Sequence, residues 1–372
     1  MTIDLKSVKV LDLSRVLAGP LCAMNLGDLG AEVIKVERPG LGDESRGWGP
    51  PFDADGESAY YLCCNRNKLS VALDFDLPAD REVLFGLIAE ADVVLENFRE
   101  GALAARGVLA ADWLTRTPRL IWCTLSGFGP GSDRPGYDFV VQAECGWMSV
   151  TGEVNGEPMK AGVALADVTA GKDATIAILG ALLNRALLQT PLNPADRHLH
   201  ISLRDSATAA LINVAQNALV SGADARRWGN AHANLVPYQL FATADARMVI
   251  AVGNDNQWKA ACTALGLNDL GTDASLATNS GRLAQRDRVV RTMAERVATA
   301  GAAHWLGALQ AAGVPCGVVR SVREALGDVP VSPVTGVGPA IPGSVRRRPP
   351  KLDEHGAAIR RTGWGAFREG QV

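Results

Sequence analysis

Val8-Lys9-Val10-Leu11-Asp12-Leu13, the turn Ser14-Arg15-Val16-Leu17-Ala18-Gly19-Pro20, and Ala31-Glu32-Val33-Ile34-Lys35-Val36 are the stretches that decide the fold. The first and last read as short apolar strands. Gly19-Pro20 breaks the chain before a helical stretch over 21–29, and Gly30 ends that helix. Strand, helix and strand in this order imply two parallel strands joined by a right-handed crossover, the unit of a doubly wound sheet. The turn contains no GxGxxG, so a dinucleotide pyrophosphate lacks its usual seat after the first strand. The topology is Rossmann-like; NAD is not expected.

Working outward, further strands are predicted at 70–75, 91–95 and 120–125, with a helical stretch at 79–89. The strand–helix order continues to about residue 190. Residues 159–166 read as a buried strand that feeds a long helix over 169–188, whose apolar residues recur at helical spacing. Pro191 and Pro194 mark a linker. Residues 200–330 carry strands and helices of their own, and Gly and Pro become frequent again between 327 and 350. Arg346-Arg347-Arg348 in that last stretch reads as a solvated loop. The uncharged run 206–223 carries Asn213, Gln216, Asn217 and Ser221, which suits a soluble helix better than a membrane span. The fold class is therefore α/β, with a Rossmann-like parallel-sheet large domain and a smaller α/β domain.

Composition narrows the function. A chain of 372 residues is more than one core usually serves, so two domains are expected. Lys and Arg number 37 against 40 Asp and Glu, a net charge of −3, which gives no electrostatic basis for nucleic acid or an anionic membrane as the main partner. Hydrophobic residues make up 47% and supply ample core. The seven cysteines form no CxxC pair and the five histidines no HExxH, which points to reduced thiols in the cytoplasm and away from zinc. The N-terminus lacks the features of a secretory signal.

Ordinary side chains are left to carry the chemistry. Asp167 stands where the 159–166 strand would end and a helix begin, the sheet edge at which ligands lie in open α/β folds. It serves there as a helix N-cap or as a reactive carboxylate, and position alone does not choose. The run Gly127-Phe128-Gly129-Pro130-Gly131-Ser132-Asp133-Arg134-Pro135-Gly136-Tyr137-Asp138 specifies a tight loop, either a plain connection or a wall over a ligand. Asn65-Arg66-Asn67-Lys68, Asn97-Phe98-Arg99 and Arg38 place cations at strand edges, as surface charge or as phosphate ligands. Gly253-Asn254-Asp255-Asn256-Gln257 is a polar turn, a mobile lid or the entrance to a helix starting near Trp258.

Taken together, these segments resemble the family III CoA-transferases, a group that includes formyl-CoA:oxalate transferase, carnitine CoA-transferase and the 2-methylacyl-CoA racemases. The resemblance rests on residues 10–20, 30–37 and 65–68, on Asp92-Val93-Val94-Leu95-Glu96-Asn97-Phe98, and on Arg134-Pro135-Gly136-Tyr137-Asp138. It continues through Gly162-Val163-Ala164-Leu165-Ala166-Asp167, Asn234-Leu235-Val236-Pro237-Tyr238-Gln239, Val252-Gly253-Asn254-Asp255 and Gly313-Val314-Pro315-Cys316-Gly317. These nine segments occur in family order.

The resemblance implies a large Rossmann-like CoA-binding domain (1–195 with 330–372), a small domain (200–329) and an interlocked homodimer. It implies Asp167 as the catalytic nucleophile, forming an acyl-aspartyl anhydride and then an aspartyl-CoA thioester. No metal or redox cofactor is implied beyond CoA and acyl-CoA as substrates, with a small carboxylic acid as the other substrate. Leu17, Ala18, Arg38, Leu73, Asp74, Phe75, Asn97, Phe98, Arg99, Arg106 and Tyr137 are expected along the CoA. Arg15, Gly253 and Asn254 are expected at the acceptor. Leu69, Asp76 and Ala105 depart from residues common in the family. The alternatives are a 2-methylacyl-CoA racemase and a non-catalytic CoA-binding relative. A racemase needs a base on each face, and Tyr137 stands where its histidine would be; a phenol titrating near 10 is a poor base.

Overall fold

Val10 and Leu11 point to opposite faces of one strand, yet neither is exposed to solvent. Successive side chains alternate across a strand, so a strand apolar at both positions must be covered on both sides. A computed structural model describes residues 5–188 and 192–369 and shows how. The chain divides into two compact units, one of Met1–Trp147, Lys160–Ala223 and Val329–Val372, the other of Met148–Met159 and Asp224–Asp328.

The first unit is built on a six-stranded sheet: β1 (Lys9–Asp12), β2 (Glu32–Glu37), β3 (Lys68–Ala72), β4 (Val93–Glu96), β5 (Ile121–Ser126) and β6 (His198–Ser202). The order is β3-β2-β1-β4-β5-β6, and every pairing is parallel. Val10 pairs with Val33 on one side and Val93 on the other. Crossovers run outward in opposite directions from β1, so the turns after β1 and β4 separate and leave a crevice at the carboxyl ends of the strands.

One face packs Val10, Val33, Val93 and Ile121 under the helices Ala18–Asp28 and Leu165–Leu187; the other packs Leu11, Ile34, Val94 and Trp122 against Leu84, Ile88, Ile359 and Trp364. The small residues Ala170, Gly171 and Ala174 let the long helix lie close to the first one. A Cβ on Gly171 would come within 2.6 Å of the Ala18 carbonyl oxygen. That close approach fixes the start of the long helix beside the start of the first.

Three expectations are corrected. Residues 159–164 form no strand; Met159 and Val163 are exposed and the helix begins at Leu165. An apolar run needs a neighbouring strand to become one, and the sixth place in the sheet goes to His198–Ser202. Asn65-Arg66-Asn67-Lys68 is neither surface charge nor phosphate ligand. Arg66 grips both Asp28 carboxylate oxygens at 2.9 and 2.7 Å, Asn67 adds a 2.7 Å bond, and Lys68 reaches Asp12 at 2.8 Å, all buried. The Arg346 guanidinium is tied to the carbonyls of Gly27 and Ala31 at 2.7 and 2.9 Å, so this part of the arginine cluster anchors its loop. Pro191 lies outside the described residues.

The second unit has its own core, with Trp258, Met248, Ile250 and Trp305 around the antiparallel sheet β7 (Tyr238–Ala242), β8 (Arg247–Ala251) and β9 (Cys316–Val318). Its turn at 253–257 is the entrance to a helix, Asp255–Leu265. Asn254 Oδ1 accepts the Gln257 amide at 2.9 Å, and Gln257 Oε1 accepts the Gly253 amide at 2.8 Å. Among the described residues no helix is long and apolar enough to cross a membrane.

Candidate active site

Asp167 is the third residue of the helix Leu165–Leu187, not its N-cap. Ala164 holds the cap position with no side chain able to cap, which leaves the first amides without a local partner. Asp138 supplies one from the neighbouring helix Asp138–Glu144. Its Oδ1 accepts the amides of Ala166 at 2.7 Å and Asp167 at 3.3 Å, and its Oδ2 accepts from Gln142 Nε2 at 2.6 Å. Gln142 Oε1 in turn accepts the Ala161 amide at 2.9 Å, so one pair of side chains holds the whole approach to the helix. The Asp167 carboxylate is spared from capping. Burial, and then the negative charge of Asp138, push it up to about 7. The positive end of the helix favours the anion by only roughly 0.3–1 kcal/mol and does not outweigh them. Tyr60 lies in the same field: burial and the Asp167 charge raise its phenol to about 12.

Asp167 opens onto a cleft of about 440 Å³ at the switch point of the sheet. Arg15, Leu17 and Ala18 come from the turn after β1, Asn97, Phe98 and Arg99 from the turn after β4, and Ser132 to Tyr137 from the loop after β5. A second cleft of about 620 Å³ is lined by Arg38, Leu73, Asp74, Phe75, Asp76 and Arg106, and shares Arg15, Phe98 and Arg99 with the first. The structure therefore gathers Asp167, Arg15 and all the residues expected along the CoA into two clefts with a common wall. Gly253 and Asn254 belong to the second unit and make the cap described above.

Individual roles differ from what residue type suggests. The Asn97 side chain is spent on the main chain of Arg15: its Oδ1 accepts the Arg15 amide at 3.0 Å and its Nδ2 donates to the Arg15 carbonyl at 2.9 Å. Buried Glu96 shapes the same turn, accepting the Phe98 amide at 2.8 Å and the Thr124 hydroxyl at 2.5 Å. The Arg15 guanidinium reaches Glu44 at 2.6 Å, while its buried Nε has no partner. Arg106 pairs with Asp76 at 3.2 Å, both exposed. Sequence reasoning missed Asp138 as a member of the site. Asp138 was in view within the Tyr137-Asp138 motif, but its bonds span some thirty residues and leave no local signal. Among the described residues no cluster of three His, Cys, Asp or Glu side chains is placed to hold a metal ion.

A carboxylate in the first turn of a helix, two joined clefts and a Rossmann-like sheet define an α/β protein with its candidate site at the sheet edge. Residues 5–337 match CoA-transferase family III, and the chain belongs to that family of enzymes that transfer CoA. Succinyl-CoA:glutarate CoA-transferase of Mus musculus is 40% identical over 330 residues, which span 88% of this chain and 74% of that protein. Succinate–glutarate CoA-transferase of Agrobacterium fabrum is 38% identical over 383 residues, 95% of this chain and 94% of the other. A CAIB/BAIF family protein from Brucella suis has a crystal structure that superposes with a TM-score of 0.82 at 39% identity, covering 96% of this chain and 98% of that one.

Proposed function

We propose that the first unit transfers CoA from an acyl-CoA donor to a small carboxylic acid, with Asp167 as the nucleophile. The carboxylate attacks the thioester carbonyl and the CoA thiolate leaves, giving an acyl-aspartyl anhydride. The thiolate returns to the aspartyl carbonyl and expels the donor acid, leaving an aspartyl-CoA thioester. The acceptor carboxylate repeats the first step on that thioester, and the thiolate then takes the acceptor acyl group and frees Asp167. Dividing one exchange in this way conserves the thioester's free energy. Main-chain amides at Leu17 and Ala18 are suited to receive the developing oxyanion, a contribution of roughly 3–4 kcal/mol per donor. Succinyl-CoA as donor and glutarate as acceptor are the pair suggested by the relatives' names.

CoA is assigned to the two clefts: Leu17, Ala18, Phe98 and Tyr137 along the pantetheine, Leu73, Asp74 and Phe75 beside the adenine, and Arg38, Arg99 and Arg106 for the phosphates. Asn97 acts by holding the turn that carries Arg15. Arg15 is assigned to the acceptor carboxylate, Glu44 being a partner that a substrate anion can displace. A second copy of the chain is assigned to the exposed apolar residues of the first unit. The helix Ile212–Ser221 buries none of its residues there, and Ile212, Leu219 and Val220 are each more than 70% exposed. Seven free cysteines suit the cytoplasm.

The observation that carries the reading is the Asp167 carboxylate, free of capping and open to the cleft. Incubation of the protein with succinyl-CoA, followed by peptide mass analysis, is expected to find CoA or succinyl bound to the peptide containing Asp167. An unmodified peptide from a protein that washes deuterium into 2-methylacyl-CoA would favour the racemase instead.

The loop after β5 gives a further test. Cα of Gly127 and Cα of Gly136 approach so closely that a Cβ on either would overlap the other. Gly136→Ala is expected to spread the loop bearing Tyr137 and to lower kcat/KM by roughly tenfold to 100-fold, as measured by steady-state transfer from succinyl-CoA.

A further inference from the structure

The turn between β1 and the first helix has no main-chain hydrogen bonds to hold residues 14–16; side chains take every polar main-chain group. Asp12 accepts the Ser14 amide at 3.0 Å and Lys35 Nζ donates to the Ser14 carbonyl at 2.9 Å. Asn97 clasps both groups of Arg15. Both oxygens of Asp43 accept the Val16 amide at 3.2 Å, and the Cys64 thiol donates to the Val16 carbonyl at 3.7 Å. Val16 has a φ of 71°, in the left-handed region that β-branched residues avoid. A turn that is strained and lacks bonds of its own keeps its shape only while its surroundings impose it. The same turn delivers Val16, Leu17 and Ala18 to the wall of the cleft that holds Asp167.

Asp43 is well placed to impose that shape. Its carboxylate lies 2.9 Å from Lys35 Nζ, with both side chains fully buried. The same carboxylate accepts the amide and hydroxyl of Ser45 at 3.0 and 2.8 Å, and its own amide is held by Glu37 at 3.0 Å. An acceptor fixed from this many sides cannot follow the Val16 amide if the turn relaxes.

We propose that Asp43, held by Lys35, is a positioning residue for CoA transfer: by taking the Val16 amide it enforces the left-handed turn that sets Leu17 and Ala18 beside Asp167. This rests on the reading of that cleft as the transfer site. Neither Asp43 nor Lys35 touches the reacting atoms in this role; they act through the main chain of the turn.

Removing Asp43 alone would deprive the buried Lys35 of its ion-pair partner, leaving it the Ser14 carbonyl and the charges of Asp12 and Glu37, and would endanger the fold, so the informative variant is Lys35→Met with Asp43→Ala, which removes both members of the pair. Its kcat for transfer from succinyl-CoA to glutarate is expected to fall roughly tenfold to 100-fold, because the turn is no longer held in the reactive geometry. Adding Val16→Gly to the same chain is expected to bring kcat back to within about threefold of the parent, since glycine adopts positive φ unaided. If the ion pair were purely structural, its removal would change the melting temperature and not the turn, and Val16→Gly would leave kcat where it was. Rescue of kcat without rescue of the melting temperature supports the positioning role. A kcat unchanged in the charge-free variant, or a loss that Val16→Gly does not move, overturns it.

Hydrogen exchange at the Val16 amide separates this inference from the reading of the site. The amide is expected to be protected in the parent and to exchange at least about 100-fold faster in the charge-free variant; equal exchange overturns the pinning. An unmodified Asp167 peptide in the parent overturns the transferase reading instead, whatever the exchange shows.

Discussion

Asp167→Asn is expected to abolish CoA transfer, with kcat reduced by roughly 10⁴–10⁶-fold, the scale seen when a nucleophile is removed from a covalent mechanism. The carboxamide keeps the size and one oxygen of the parent group, so the cleft is conserved and acyl-CoA should still bind. The variant should also lose the covalent adduct on its 167-containing peptide. Stability should move the other way. The folded carboxyl titrates near 7, above its ordinary value of 3.8. A group raised in this way contributes fully to stability below its unfolded value, and that contribution is lost as pH rises through the folded one. Above pH 7 the parent therefore carries a half-buried, poorly solvated charge that the asparagine lacks. The melting temperature of Asp167→Asn should exceed the parent's at pH 8, by a margin that shrinks toward pH 4. Transfer assays and thermal unfolding at the two pH values check both halves. A variant that turns over like the parent would end the assignment of Asp167 as nucleophile.

How much of this was legible in the sequence follows from which contacts are local. The strands at the centre of the sheet were readable because both their faces are covered, so Val10-Leu11 and Val33-Ile34 are apolar without a break. β6 was not, since His198-Leu199-His200 lies at the sheet edge and is half polar. The apolar run 159–166 imitated a strand, but strand formation depends on a neighbour that no local pattern reports. The Asn65–Lys68 stretch looked like surface charge because its partners, Asp12 and Asp28, lie some forty to fifty-six residues away. Asp167 could be placed at a helix start from composition alone, whereas its freedom from capping could not. That freedom depends on Asp138 doing the capping from another helix.

The same contact contributes to the pH dependence. In the proposed mechanism the attacking group is the Asp167 carboxylate, so kcat/KM is expected to fall about tenfold per pH unit below an acid limb near 7. Burial is the larger cause of that position and the Asp138 charge the second. Tyr60, the other titratable group in this field, is raised to about 12 and stays neutral across the range. Asp138→Asn removes the like charge yet retains an oxygen to accept the amides of Ala166 and Asp167. The limb should therefore move to lower pH while remaining above 3.8, because burial is untouched. The plateau rate should drop at the same time, since a less basic carboxylate is a weaker nucleophile. Asp138→Ala removes the acceptor as well and should lower kcat further by loosening the first turn of the helix. If Asp138→Asn left the limb where it is in the parent, Asp138 would act through its hydrogen bonds alone. A limb moved upward would mean that the lost charge had been favouring the anion, contrary to the geometry of two carboxylates at one helix start.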